Sequence, residues 1–170
     1  MQERRAVVAA LIAEVRLKGR RLLIPVVAAT VIAVDQTTKT WALHHAVSPR
    51  HVLGPINLVL TFNSGAAFSL GRGATPIVEA VAVALVVWLV AMSRRATRSG
   101  SAVIVVGLGL LLGGSIGNLA DRVFRHNHGA VIDFIQAAKW WPVFNVADSA
   151  IVIGVASLAL AYAARPSTDG

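Results

Sequence analysis

The sequence contains no cysteine and few charged residues: only 14% of its 170 residues are Asp, Glu, Lys or Arg. The absence of cysteine excludes thiol nucleophiles, disulfides and cysteine-ligated zinc sites. The low charge, together with 56% hydrophobic residues and a mean hydropathy of +0.69, lies outside the balance of an ordinary soluble domain. We therefore expect a protein that folds in a lipid bilayer and has only oxygen and nitrogen side chains for chemistry.

Acidic residues are also scarce, because 8 Asp and Glu stand against 16 Lys and Arg, which gives a formal charge of +8. Such a balance is found in nucleic-acid-binding proteins, but here the basic residues form short blocks beside apolar runs rather than one face. Membrane topology explains this pattern better, so we expect no nucleic-acid partner.

Four apolar stretches are each near the ~20 residues that a helix needs to cross ~30 Å of hydrocarbon. They cover about residues 22–43, 76–92, 101–120 and 146–164. Since a lipid-exposed sheet edge is not viable, helices are expected. The sequence predicts an all-α membrane protein, a single domain over residues 1–170, with four transmembrane helices.

Basic residues predict the orientation of these spans, since Lys and Arg are enriched in cytoplasmic segments. They cluster before residue 22, between spans two and three at Arg94, Arg95 and Arg98, and after span four at Arg165. Both termini are then cytoplasmic, and segments 44–75 and 121–145 face outward. The stretch HVLGPINLVLTF (residues 51–62) predicts one or two short strands there, a small extracytoplasmic β-element beside an outer loop.

Small residues recur at four-residue spacing in the third span, at Gly109, Gly113 and Gly117. This spacing brings helix backbones close together, so we expect these glycines to serve tight helix packing.

Acids near the spans are the first place to look for chemistry, because ionisable groups in a membrane are costly and usually face a partner or a cavity. They are Asp35, Glu79, Asp121, Asp133 and Asp148. Asp35 lies about 20 Å of helix after Leu22, so roughly 10 Å beneath the outer hydrocarbon boundary. Asp148 in the first turn of span four and Asp121 near the end of span three converge on that depth. Two carboxylates that meet in a low-dielectric site cannot both ionise, which is the logic of aspartic proteases.

Five short blocks carry a resemblance to a known family. In order, they are DQTTK (residues 35–39), NSGAAF (63–68), GNLADR (117–122), VIDF (131–134) and FNVADS (144–149). Together they resemble the signature blocks of signal peptidase II, the lipoprotein signal peptidase family, over residues 22–164. The stretch between Arg122 and Asp133 is a few residues longer than in short members of that family.

The resemblance implies an aspartyl endopeptidase in which Asp133 and Asp148 form the catalytic dyad. It implies that the pocket is lined or supported by Asp35, Lys39, Asn63, Gly65, Asn118, Arg122 and Asn145. The implied reaction removes the signal peptide of diacylglyceryl-modified prolipoproteins just before the lipidated cysteine. No metal or organic cofactor is implied. We expect a monomer that contacts membrane lipid in the bacterial cytoplasmic membrane, with its active site near the outer leaflet.

Structural roles for the same residues remain open. With Asn145 as N-cap, Asp148 occupies the third helical position, where a carboxylate favours the positive end of the dipole. Asp35 and Lys39, spaced i and i+4, could neutralise each other, and Asp121 could pair with Arg122.

Asn63 has two readings as well: it could bond its own turn at Gly65 or donate to substrate backbone. Two other classes of protein also fit the composition. One is a transporter in which Asp35 and Asp121 bind a cation or relay protons, and the other is a passive membrane scaffold.

Overall fold

The computed structural model describes residues 1–65, 75–96, 101–125 and 127–164. Its elements in chain order are α1 (Gln2–His45), β1 (Arg50–Leu53), β2 (Ile56–Asn63), α2 (Thr75–Ala96), α3 (Ala102–Phe124), β3 (Val131–Gln136) and α4 (Val146–Ala163). The parts of the predicted blocks that fall on residues 66–68, and the predicted topology signals Arg98 and Arg165, lie outside the described residues.

Three helices in the described part of the chain are long and apolar enough to cross a membrane: Leu22–His45 within α1, Ala102–Phe124 and Val146–Ala163. The stretch predicted at 76–92 falls in α2, whose apolar part, Ala80–Ser93, is shorter. The helical membrane fold is thus confirmed, while the number of four spans stays a prediction.

Two helix boundaries differ from the sequence prediction. Helix α1 begins at Gln2 rather than near Leu22, and α3 continues to Phe124 instead of ending at residue 120. The polar last turn of α3 stays helical because Asp121 is fully buried in ion pairs with Lys39 and Arg125. The connection between α3 and α4 therefore begins after Phe124, not at residue 121.

Helix α3 is the centre of the bundle and packs against the other three helices. A Cβ atom added at Gly113 would lie 2.7 Å from the Cβ atom of Val31 and 2.8 Å from the carbonyl oxygen of Ala28, both in α1. Only glycine permits this approach, and Gly109 meets α1 in the same way at Val27. The predicted role of this glycine spacing in helix packing is confirmed.

The outer surface of the bundle is apolar. Helix α4 leaves Val152, Ile153, Leu160 and Tyr162 more than half exposed. In water such a face would be unfavourable, whereas against lipid chains it costs nothing. The exposed apolar faces are those of helices that lie in a bilayer.

The predicted β-element is confirmed as a three-stranded antiparallel sheet in the order β1-β2-β3. Strands β1 and β2 form a hairpin through Gly54 and Pro55, where Gly54 adopts a positive φ of 55°. The third strand was not predicted, because VIDFIQ has no strand alternation of its own and extends where β2 offers a hydrogen-bonding edge. A small core of Ala42, Ala46 and Phe134 fastens this sheet to the end of α1.

Candidate active site

Strand β3 holds Asp133 in a fixed position. Asp133 pairs with Thr61 of β2, and the following residue, Phe134, is buried in the core against α1. The preceding residue, Ile132, donates its backbone N–H to Asp121 Oδ2 at 3.0 Å, which fastens the strand to the end of α3. Asp133 is therefore held on both sides and is only 2% exposed.

The first turn of α4 holds Asp148. Asn145 is the N-cap and accepts from the backbone N–H of Asp148 at 2.9 Å, while Asp148 Oδ2 accepts from the backbone N–H of Asn145 at 3.1 Å. The predicted N-cap role of Asn145 and third-position placement of Asp148 are confirmed, and the two residues together form a reciprocal capping box. Asp35 adds a third contact, because its Oδ1 accepts from the backbone N–H of Ala147 at 3.0 Å. Asp148 is thus placed by α1 as well as by its own helix.

Asparagine side chains connect the two carboxylates. Asn145 Nδ2 donates to Asp133 Oδ1 at 2.6 Å, and Asn63 Nδ2 donates to Asp133 Oδ2 at 3.0 Å. Asn118 Nδ2 donates to Asp148 Oδ1 at 2.8 Å. Each carboxylate therefore receives neutral donors, and Asn145 contacts both. We call these five residues the dyad network.

Burial raises the pKa of Asp133 to about 6. The hydrogen bond from Asn63 opposes this increase, the negative charge of Asp148 adds to it, and Asn145 and Lys39 oppose it further. The charge of Asp148 therefore affects the pKa of Asp133. A carboxyl group with a pKa of about 6 can both donate and accept a proton near neutral pH.

A second polar group, which we call the ion cluster, lies beside the dyad network. Lys39 Nζ is 2.9 Å from Asp35 Oδ2 and 2.8 Å from Asp121 Oδ2, and Arg125 Nε is 3.0 Å from Asp121 Oδ1. The side chains of Lys39, Asp35 and Asp121 are fully buried. A Cβ at Gly117 would lie 2.7 Å from Asp35 Oδ2, so this glycine makes room for the carboxylate. The predicted Asp35–Lys39 pair is confirmed.

Two members of this region were missed by sequence reasoning. Gln36 Nε2 donates to the carbonyl of Gly117 and to Asp121 Oδ1, each at 3.0 Å. Arg125 donates to Gln36 Oε1 at 3.0 Å and pairs with Asp121. Asp121 was predicted to serve in an ion pair with Arg122. The ion-pair role is confirmed, but the partners in the structure are Lys39 and Arg125. The i, i+4 spacing of Asp121 and Arg125 was a signal that pointed to this pair.

The remaining predicted residues surround the dyad network. Asn63 Oδ1 accepts from the backbone N–H of Gly65 at 2.9 Å, so Asn63 closes its own turn while its amide nitrogen reaches Asp133. Gly65 has a positive φ of 74°, which suits that turn. Arg122 Nη1 donates to the backbone carbonyl of Asn118 at 3.3 Å. All nine predicted site residues therefore lie in or beside the two polar groups.

A cleft of about 360 Å³ opens beside one of the two acids. It is lined by Thr61, Phe62, Asn63, Ser64, Asp133, Pro142 and Val143. Among the residues that the structure describes, no three or more acid or histidine side chains converge as a metal site. The site thus offers carboxylates and amides at the side of an open cleft.

The chain is similar to several bacterial proteins named lipoprotein signal peptidase. That of Rhodococcus jostii is 43% identical over 157 residues, which cover 89% of this chain and 77% of the relative. Those of Mycobacterium leprae and Mycobacterium avium are 40% and 44% identical and cover 84% and 79% of this chain, and 72% and 74% of the relatives.

Two solved structures, each described as a bacterial membrane enzyme, have the same fold. They superpose with TM-scores of 0.73 and 0.71 at 26% and 25% identity. Each match covers 86% of this chain, and 91% and 94% of the solved chains. The family model for signal peptidase (SPase) II matches residues 27–164, a range that contains both acids and every side chain of the two polar groups. On these grounds the chain belongs to the signal peptidase II family, a family of bacterial membrane proteases.

Proposed function

We propose that this protein is an intramembrane aspartyl endopeptidase that removes signal peptides from diacylglyceryl-modified prolipoproteins, cleaving just before the lipidated cysteine. Family membership supports the processing of prolipoproteins. The two-aspartate mechanism is supported by one observation above all: Asn145 contacts both Asp133 and Asp148 and holds them in one hydrogen-bond network.

The chemistry follows from the two carboxyl groups. One takes a proton from a water molecule, whose oxygen attacks the scissile carbonyl carbon, while the other gives its proton to the carbonyl oxygen and the leaving amine is then protonated. Burial favours one shared proton, because two adjacent carboxylates out of bulk water resist double ionisation. The carboxyl groups supply both the acid and the base, so the proposal includes no metal or organic cofactor.

The cleft beside Asp133 is a suitable place for an extended peptide. Its walls combine apolar contacts at Phe62, Pro142 and Val143 with the amide of Asn63. Asn63 and Arg122 bring donors that suit a peptide backbone or the ester oxygens of a lipid. We propose that the precursor binds here with its lipidated cysteine next to the dyad.

The placement in the membrane is part of the proposal. We propose that α2 completes four spans, that both termini are cytoplasmic, and that the dyad lies near the outer leaflet of the bacterial cytoplasmic membrane. The polar groups gather at one end of the bundle, since Asp35 and Asp121 occur late in α1 and α3 and Asp148 early in α4. We also propose that a single copy of the chain is active.

The transporter alternative loses its main support in the structure. Asp35 and Asp121, the acids predicted to bind a cation, already hold the ammonium of Lys39 between them. A transported ion would have to displace a fully buried lysine, which is costly in a low-dielectric site.

The test is cleavage of a purified diacylated precursor, with its unlipidated form in parallel. We expect cleavage of the lipidated form, and none by Asp133→Asn or Asp148→Asn. Glu3→Gln is a matched acid-to-amide control at an exposed position distant from the site, and it should cleave normally. Near wild-type turnover by either dyad variant would rule out the mechanism, and equal cleavage of the unlipidated precursor would rule out the lipid requirement.

A further inference from the structure

Asn118 connects the ion cluster to the dyad network. Its Oδ1 accepts from Lys39 Nζ at 2.9 Å, and its Nδ2 donates to Asp148 Oδ1 at 2.8 Å. An ammonium group can only donate, and an ionised carboxylate can only accept. The amide therefore fits in one orientation, and the flipped amide would place donor against donor at Lys39 and acceptor against acceptor at Asp148.

The hydrogen bonds connect Lys39 to Asp148 through this amide. An ammonium has three hydrogens, and Lys39 directs one each to Asp35 Oδ2, Asp121 Oδ2 and Asn118 Oδ1. Its side chain is fully buried, and acids from α1 and α3 hold it in place. The direction of the Asn118 amide is thus fixed by a cation that has no hydrogen left for Asp148, together with Asn145 Nδ2, which donates to the same Asn118 oxygen at 3.2 Å.

We propose that Lys39 and Asn118 are positioning residues that keep Asp148 as the ionised member of the dyad, so that Asp148 is the general base and Asp133 the general acid. The inference rests on the proposed function and deepens it. It assigns a separate role to each of the two acids, which otherwise share one mechanism.

The surroundings of the two acids differ in the direction that this assignment needs. Both oxygens of Asp148 accept hydrogen bonds, from Asn118 Nδ2 and from the backbone N–H of Asn145, at the start of α4 where the helix dipole favours negative charge. Both oxygens of Asp133 also accept, from Asn63 Nδ2 and Asn145 Nδ2, but Asp133 lies on a strand with no helix terminus. Its donor Asn145 Nδ2 is shared with the carbonyl of Ile132 and with Asn118 Oδ1. Burial raises the pKa of Asp133 to about 6, which favours its protonated form relative to an ordinary carboxyl group.

The positive and negative charges around the dyad are also equal in number when the dyad carries one proton. The charged groups in and beside the two polar groups are Asp35 and Lys39 of α1, Asp121, Arg122 and Arg125 near the end of α3, and the two acids themselves, Asp133 of β3 and Asp148 of α4. With Asp133 neutral and Asp148 ionised, the negative and positive charges are equal in number. A second negative charge in the dyad would break that balance in a buried site.

The catalytic steps then have a fixed direction. Asp148 takes a proton from water, the water oxygen bonds to the scissile carbon, and Asp133 gives its proton to the carbonyl oxygen. The tetrahedral intermediate collapses when its carbon–nitrogen bond breaks: Asp148 passes the proton to the leaving amine, and Asp133 takes one back from a hydroxyl. The products are a free acid and a free amine, and both aspartates return to their starting states.

The test is the pH dependence of kcat/KM for two matched amide deletions, Asn118→Ala and Asn63→Ala. The acidic limb reports ionisation of the base, and the alkaline limb reports loss of the proton from the acid. Asn118→Ala removes a donor to Asp148, so we expect the acidic limb to move to higher pH by about one unit. Asn63→Ala removes a donor to Asp133, so we expect the alkaline limb to move upward instead.

A double-variant cycle tests whether Lys39 acts through Asn118. Lys39→Met should move the acidic limb in the same direction as Asn118→Ala, and the double variant should move it no further than Asn118→Ala alone. Additive shifts would overturn the role of Lys39. Should Lys39→Met fail to fold, the two asparagine variants still decide which aspartate is the base.

The assignment would be overturned if Asn118→Ala moved the alkaline limb of the pH profile and Asn63→Ala moved the acidic limb. An acidic limb that does not move in folded Asn118→Ala would overturn it as well. Failure of the proposed function looks different, because Asp133→Asn or Asp148→Asn would then keep turnover whatever the pH profile.

Discussion

The two polar groups at one end of the bundle are built from the same kinds of residue but differ in what faces their acids. In the ion cluster, Asp35 and Asp121 each contact a cation, Lys39 or Arg125. In the dyad network, the donors at Asp133 and Asp148 are the amides of Asn63, Asn118 and Asn145 and one backbone N–H.

This difference agrees with the proposed roles of the acids, structural in the ion cluster and reactive in the dyad network. A carboxylate bonded to a buried cation has its negative charge compensated by that cation. A buried carboxylate that meets only neutral donors keeps both protonation states within reach, as the raised pKa of Asp133 indicates. Burial alone therefore does not distinguish the two groups, since Asp133 is buried, as are Asp35 and Asp121. The two groups differ in the charge of the side chains that contact their acids.

The largest effect is expected on turnover in the dyad network. Asp133→Asn and Asp148→Asn should each lower turnover at least ~1,000-fold, because each removes a proton-transfer group. At about pH 4, where Asp133 is protonated like the amide that replaces it, thermal unfolding in detergent should stay close to wild type, since amides occupy the same volume. Cleavage of a diacylated precursor and unfolding are measured on the same preparations, and a large loss of stability would place these acids with the structural ones.

In the ion cluster, the main effect is expected on stability. Asp121→Asn leaves Lys39 and Arg125 short of a negative partner in a buried site, which should cost about 3–5 kcal/mol of unfolding free energy. The variant also weakens the acceptor for the backbone N–H of Ile132, next to Asp133. Unfolding in a denaturant series tests this, with Asp148→Asn as the matched acid-to-amide comparison. Equal stability of the two variants would remove the distinction between the groups.

The pH dependence of stability sharpens the comparison further. The folded pKa of Asp133 is about 6, above its ordinary value of 3.8, so the folded state binds the proton more tightly than the unfolded state. The resulting stability is fully present below about pH 4 and is lost as the pH rises through about 6. Relative to wild type, Asp133→Asn should therefore gain up to about 3 kcal/mol between pH 4 and pH 7. Unfolding midpoints across this range check it, and a constant difference would contradict the raised pKa.

The smallest expected effect concerns the space that the ion cluster needs. Gly117→Ala places a Cβ 2.7 Å from Asp35 Oδ2, so the carboxylate must shift. Overpacking of this kind costs about 1–3 kcal/mol. As a control, Gly19→Ala in α1 adds a Cβ with no atom within 4 Å and should not destabilise the protein. Equal unfolding midpoints for the two variants would show that the cluster tolerates displacement of Asp35.

Local spacing made part of the site predictable. The capping box of Asn145 and Asp148 spans three residues, and the Asp35–Lys39 pair spans one helical turn, so both follow from helix geometry. The turn between Asn63 and Gly65 was predictable for the same reason. Each of these interactions joins residues that are close in sequence, so few other residues can take the place of either partner.

Interactions between distant segments were harder to predict. The partners of Asp121 are Lys39 in another helix and Arg125 one turn ahead, whereas the sequence favoured its neighbour Arg122. Strand β3 was missed because its extended form depends on the edge of β2. Helix α3 exceeded its predicted end because buried ion pairs make its polar last turn stable.

The sequence by itself determined the solvent of this protein, its helical class and the small set of acids near the spans, because hydropathy and charge act through composition and short spacing. Only the tertiary structure decided which acids meet cations and which meet amides. That outcome depends on α1, α3, α4 and β3 converging at one end of the bundle. The strength of an electrostatic interaction is set by distance and burial, which are properties of the fold rather than of any segment.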